Sequence, residues 1–238
     1  MPSPCRLLID PAPNGGAWNM AADDVLLDAG GAALRFYQWA EPTLSLGYFQ
    51  PHLAARTFPD LAWLRRATGG EAIVHHHELT YSLVLPAGNE HQPHSTSWMC
   101  RFHHRIRQAL RGFGVSAESC GPERRLGETL CFLHHTPGDL IVSGHKVVGS
   151  AQRKQRGTLL QHGSILLRQS DHTPALPGIA ELTGRVVTAE DLREAILTEF
   201  RRETGWALAA GTFDDAERGR IDERIASRYA SAAWNEKR

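Results

Sequence analysis

Asp139-Leu140-Ile141-Val142-Ser143-Gly144-His145-Lys146-Val147-Val148-Gly149-Ser150-Ala151-Gln152, followed by Thr158-Leu159-Leu160-Gln161-His162-Gly163-Ser164-Ile165-Leu166-Leu167, decides how this chain folds. Three aliphatic runs, 139–143, 146–152 and 158–167, are each short enough for a strand and too short for a core helix. Gly144-His145 supplies a hairpin turn between the first two. Gly163 in the third predicts a bulge or a close approach of another backbone.

Working outward, 72–75 and 79–85 are dominated by β-branched and aromatic residues and read as strands. So do 34–39 and 43–49, on either side of Glu41-Pro42. Residues 63–66 form a short apolar-to-basic segment. Helices are predicted over 18–29 and from about 95 to 111, where Trp98, Met99, Phe102, Ile106, Ala109, Leu110 and Phe113 recur at helical spacing before Gly112 and Gly114 close the pattern. Thr188 can cap a further helix, with Glu190 and Asp191 in its first turn and Leu192, Ala195, Ile196 and Phe200 as its buried stripe. A last helix is expected over 214–229. The stretch 120–138 has little periodicity and reads as a long irregular connection, a common carrier of function. Strands gather in the middle, with helices before, between and after them. The fold expected is therefore α+β: a mixed β-sheet layered with helices, in one domain spanning 1–238 with no C-terminal accessory domain.

Composition narrows the function. A formal net charge of zero lacks the footprint of a general nucleic-acid binder. The N-terminus has no charged segment leading into an apolar one, and no run reaches about 18 apolar residues, so neither a secretory leader nor a membrane span is expected. Cys5, Cys100, Cys120 and Cys131 match no zinc or redox spacing. Reduced thiols in the cytoplasm follow as the expectation, and one of them is then free to act as a nucleophile. His75-His76-His77, His103-His104 and His134-His135 are dense, but none shows the i, i+4 spacing of a zinc enzyme, so no metal is expected.

Three constellations can carry chemistry. In Arg65-Arg66-Ala67-Thr68-Gly69-Gly70-Glu71-Ala72, paired glycines let backbone N–H groups approach a phosphate or a polarised carbonyl, and the two arginines can meet an anion. A Gly-Gly pair alone more often marks a plain turn. Lys146 follows a tight turn and shares a strand face with Val148 and Ser150 in regular alternation; lining a cleft, its ammonium could meet a carbonyl or phosphate oxygen. His162, beside Gly163, has the character of a general base or of a satisfied half-buried histidine.

Taken in order, these segments resemble the lipoate–protein ligase and octanoyltransferase family. Arg65-Arg66-x-Thr68-Gly69-Gly70-x-Ala72, His75 and Leu79-Thr80-Tyr81-Ser82 are similar to its ligand-binding signature. Gly144-x-Lys146-x-x-Gly149-Ser150-Ala151-Gln152-Arg153 is similar to its lysine motif, and Gln161-His162-Gly163-Ser164-Ile165-Leu166 to the strand after it. Trp18-Asn19-Met20-Ala21, Pro42-Thr43-Leu44-Ser45-Leu46-Gly47 and Ala233-Trp234-Asn235 extend the match from about residue 18 to the C-terminus. The resemblance implies the catalytic core shared by biotin and lipoyl protein ligases and class II aminoacyl-tRNA synthetases. It implies an acyl pocket built from Arg66, Thr68, Gly69, Gly70, His75, Gly149, Ser150, Ala151, His162 and Gly163.

Cys131-Phe132, fifteen residues before Lys146, is similar to the Cys-Phe pair of the cysteine-dependent octanoyltransferase branch. That likeness implies that Cys131 takes octanoyl from the phosphopantetheine of acyl carrier protein and passes it to a lysine of a lipoyl domain such as the glycine cleavage H protein. Lys146 would stabilise the oxyanion, and no cofactor would be needed. His134 and His135 are placed to favour the thiolate; Cys120, in the same loop, has no motif behind it. Arg153, Lys154 and Arg156 offer a docking patch for acidic partners. An ATP- and magnesium-dependent lipoate ligase is the alternative, and a non-catalytic binder of carrier or lipoyl domains a further one. Glu71 stands where ATP-using members commonly have a third glycine, and an inward carboxylate there would repel an adenylate phosphate.

Overall fold

The computed structural model describes residues 4–88, 97–127 and 129–238. The chain begins with β1 (Pro4–Ile9), helix α1 (Gly16–Ala29), β2 (Ala33–Tyr37) and β3 (Thr43–Leu46). β4 (Ala62–Arg65), β5 (Ile73–His75), β6 (Glu78–Leu85) and α2 (Trp98–Gly112) follow. The short strands β7 (Glu118–Ser119), β8 (Arg124–Arg125) and β9 (His134–His135) lead to β10 (Leu140–Val142), β11 (His145–Gln155) and β12 (Thr158–Leu166). The chain ends with α3 (Ile179–Thr183), α4 (Ala189–Thr204), β13 (Ala207–Gly211), α5 (Asp215–Arg224) and α6 (Ala232–Asn235).

Eight strands form one mixed sheet in the order β13-β1-β2-β6-β12-β11-β10-β7, while β4-β3-β5 form a second, small sheet. One face of the large sheet is sealed by α2 and α4, whose Trp98, Phe102, Ile106, Leu192, Ile196 and Phe200 pack on Phe36, Tyr81, Leu83 and Ile165. α1 and Ile221 of α5 cover the opposite face, against Tyr37, Val84 and Leu160. Alternation along each strand thus sends odd and even residues to two separate cores. Thr188 caps α4 by accepting a hydrogen bond from the Asp191 N–H, as its position predicts. No helix among the described residues is long and apolar enough to cross a membrane.

The expected layered α+β arrangement is present, with differences in detail. β1 and β13 were not foreseen, and 62–65 is a strand paired in parallel with β3. The run 43–49 stops at Leu46 and the chain turns from Gly47, where a Cβ would fall on the Gly70 carbonyl, so close approach requires glycine. The turn of the central hairpin is Ser143-Gly144, both with positive φ, and His145 already pairs with Val142. Gly163 lies in regular register with no bulge: a Cβ there would stand 2.5 Å from Ser150 Oγ and 2.6 Å from the Gly149 carbonyl, so close approach is the reason for glycine. The bulge is instead on the other side of β11, where pairing shifts from Ile141↔Lys146 to Leu140↔Val148. The expected start of α2 at residue 95 lies outside the described residues; Ser97 caps the helix by accepting from the Met99 N–H. The stretch 120–138, expected to be irregular, holds the β8–β9 pair and a single 3-10 turn at Cys131–Leu133.

Phe102, fully buried between Tyr81 and Phe200, welds α2 to the sheet. Phe102→Ala is expected to lower unfolding stability by about 3–5 kcal/mol, measured by urea titration.

Candidate active site

Between the α1 side of the large sheet and the small sheet lies a cavity whose empty space, counted with the open solvent at its mouth, is about 430 Å³. Its lining runs from half-exposed residues at the mouth, Cys131, Ile73 and Ala151, to a buried floor of Met20, Tyr37, His75, Thr80, His162 and Ser164.

The polar groups of the floor are held by two hydrogen-bonded chains. Arg35, wholly buried on β2, uses all five of its N–H groups: on both Asp10 oxygens, on Asp23 Oδ1 at 2.8 Å, and on the backbone and side-chain oxygens of Asn19. The second oxygen of Asp23 accepts from Tyr37 Oη (3.0 Å) and His162 Nδ1 (3.2 Å). His162 Nε2 is left to accept from the Thr68 hydroxyl at 2.6 Å. In parallel, Glu78 Oε1 takes His75 Nδ1 (2.7 Å), Thr80 Oγ1 and Ser164 Oγ, while His75 Nε2 meets Ser45 Oγ at 2.7 Å. Burial would raise the carboxyl pKa values of Asp23 and Glu78, but their histidine partners, with Arg35 for Asp23, outweigh it and hold both below the ordinary range. With these polar atoms aimed at one another, the floor presents chiefly carbon to the cavity.

At the mouth, Cys131 opens its 3-10 turn with its N–H bonded to the Ala72 carbonyl. Lys146 Nζ stands 3.6 Å from Cys131 Sγ. The ammonium also meets Asp139 Oδ2 at 2.7 Å and donates to the carbonyls of His134 (2.9 Å) and Cys131 (3.2 Å). The expectation that Lys146 shares a face with Val148 and Ser150 is overturned by the β11 bulge. A Cβ on Gly149 would lie 2.6 Å from Lys146 Cε, so Lys146 is on the Gly149 face, whereas Ser150 points to Tyr81 and His103 beneath α2.

Nine of the residues singled out in the sequence line this cavity: Arg66, Gly70, His75, Cys131, Gly149, Ser150, Ala151, His162 and Gly163. Thr68 and Lys146 stand one contact behind it, on His162 and Cys131. Gly69 packs under Phe49, its carbonyl accepting from Arg66. Arg66 also holds the Ser45 and Glu71 carbonyls; burial pulls its pKa down to about 10 against the opposing influence of Cys131. Glu71 turns away from the cavity toward Arg125, which removes the basis for charge repulsion inside it. Arg153 braces the Ala67 carbonyl, leaving Lys154 and Arg156 as the exposed members of the expected basic patch. Among the described residues no three His, Cys, Asp or Glu side chains converge to hold a metal. The sequence reading missed Asp23, Arg35, Glu78 and Asp139. The available signal was acidic residues set within apolar runs, as in α1 and just ahead of β10.

Residues 16–174 match the family described as the lipoyl protein ligase A/B catalytic domain. The chain is 33% identical to octanoyltransferase LipM of Geobacillus kaustophilus, over 93% of this chain and 94% of that one. With octanoyltransferase LipM of Moorella thermoacetica it shares 31% identity over the full length of both. Among solved structures it is similar in fold to a T. acidophilum protein with bound lipoic acid (TM-score 0.80, 19% identity, 98% and 99% covered). A second is lipoate-protein ligase A bound with ATP (TM-score 0.75, 21% identity, 98% of each chain).

Burial depresses the pKa of His75 and of His103, so the unfolded chain takes up their protons first as pH falls below about 6.5. Stability then declines with falling pH, because the unfolded state binds more protons. Denaturant midpoints at pH 7.5 and 5.5 should show the loss, and His103→Gln should reduce it.

Proposed function

The chain belongs to the lipoyl protein ligase A/B family, and from that premise we propose that it is an octanoyltransferase of protein lipoylation acting through a thioester on Cys131. The observation that carries the reading is the position of the Cys131 thiol at the mouth of a carbon-lined cavity with the Lys146 ammonium 3.6 Å away. A cysteine here suits the chemistry, since a thiolate attacks acyl carbonyls readily and leaves again as a thioester.

The donor is octanoyl carried as a thioester on the phosphopantetheine of acyl carrier protein. Its chain enters the cavity, and the Cys131 thiolate attacks its carbonyl. The negative charge that develops on the carbonyl oxygen lies within reach of Lys146, whose longer carbonyl contact, the 3.2 Å bond to Cys131 O, is the one an oxyanion would replace. Collapse expels the pantetheine thiolate, which takes up a proton, and leaves octanoyl on Sγ. The neutral amine of a lipoyl-domain lysine then attacks this thioester, loses its proton, and releases the Cys131 thiolate. The first step exchanges one thioester for another, and the second gains from amide formation, so no ATP enters. A lipoyl domain such as the glycine cleavage H protein is the acceptor. Four unpaired cysteines fit a reducing, cytoplasmic setting.

Intact-mass analysis with octanoyl carrier protein, without ATP, is expected to show a hydroxylamine-labile octanoyl adduct on the wild type and none on Cys131→Ser. Modified lipoyl domain formed only with lipoate and ATP would replace this reading with a ligase. Lys146→Met should slow acylation by about 10²–10³-fold, the scale of a lost oxyanion donor, in stopped-time mass measurements.

A further inference from the structure

We infer that Glu71 is a positioning residue for Cys131: its carboxylate clasps the β8–β9 hairpin and so holds the thiol at the cavity mouth. The inference rests on the transferase reading for its catalytic consequence, although the clasp itself is geometric. Glu71 Oε1 lies 2.9 Å from Arg125 Nη2 on β8 and 3.6 Å from His134 Nδ1 on β9. The far side of the same imidazole, Nε2, meets Glu123 Oε1 at 2.5 Å. Glu71 therefore touches both strands of the hairpin whose connection contains Cys131.

Its neighbour Ala72 makes the backbone half of the attachment, donating to the Thr129 carbonyl and accepting from the Cys131 N–H. The His134 carbonyl in turn receives Lys146, so a shift of β9 moves the thiol and the ammonium together. On the opposite side the turn is held by burial of Phe132 against Leu166 and Leu176. The hairpin is thus fixed by an apolar plug on one flank and by Glu71 on the other. Arg66 keeps the Glu71 backbone in place by donating to its carbonyl. Arg125 is more than half exposed, so the clasp is a modest and salt-sensitive one. That strength suits a segment that must hold a nucleophile in line without locking it.

The test combines hydrogen exchange of the peptide carrying Cys131 with single-turnover acylation by octanoyl carrier protein, in the full chain. Glu71→Gln keeps shape and removes charge. It is expected to raise exchange and slow acylation by about fivefold each, with donor KM within about twofold of wild type. Glu71→Arg should do more, and the reversed pair Glu71→Arg with Arg125→Glu should recover most of both losses. Arg125→Gln, on the exposed partner, gives the same readout if a Glu71 variant fails to fold. Wild-type exchange and acylation in Glu71→Gln would overturn the clasp, as would a reversed pair no better than Glu71→Arg at unchanged Tm. A wild-type protein that never acquires octanoyl sinks the transferase reading instead, and exchange alone then decides the clasp.

Discussion

A buried ammonium needs acceptors for its protons, and the candidate site is organised around that need. Lys146 is almost fully enclosed, and among the described residues its only carboxylate partner is Asp139. The carbonyls of Cys131 and His134 complete the set, so the chain segment that carries the thiol is drawn to the cation. Removing a charge from water is costly unless it is paired and hydrogen-bonded, so loss of Asp139 would leave an uncompensated buried cation. Asp139 is itself fixed by the Thr136 N–H and hydroxyl, so the ion pair also closes the loop that leads into β10.

The same economy governs the cavity floor. Two carboxylates, two histidines and a buried arginine would be a poor surface for an acyl chain if their polar atoms faced inward. Most of their polar atoms are instead taken up by a neighbour: Arg35 by Asp10, Asp23 and Asn19, His162 by Asp23 and Thr68, and His75 by Glu78 and Ser45, while the buried Glu78 Oε2 has no hydrogen-bond partner among the described residues. The rigidity of such networks holds the walls apart, so the cavity exists before anything fills it. Trp39, stacked on His75 at 3.7 Å and donating to Thr80, extends this bracing to the far wall.

Long periodic or strongly β-branched segments announced themselves in the sequence. α2, α4, β6 and β12 are where their patterns put them: a helix buried on one face carries a periodic stripe, and strands buried along nearly their whole length carry apolar-rich runs. β13, with the sequence ALAAG, has no such imprint and becomes a strand through its pairing with β1. At the site, Cys131 and Lys146 were legible through family likeness and order along the chain. The facing of Lys146 was not, since a bulge changes strand parity without a sequence mark. Arg35 and Asp23 escaped notice because their meaning is a contact between β2 and α1. Glu71 was visible as a departure from pattern, but its direction depends on Arg125, far along the chain.

The single extra residue between the Ile141↔Lys146 and Leu140↔Val148 pairs has a consequence for how this hairpin can vary. It makes the count of residues from His145 to Gly149 a fixed quantity. Deleting one residue would restore plain alternation and carry the lysine through the sheet to the side of α2, where Ser150, Tyr81 and His103 now meet. Lengthening the Ser143-Gly144 turn leaves that parity alone. Tolerance to insertion should therefore be sharply uneven over a few residues, permissive at the hairpin tip and nil at the bulge.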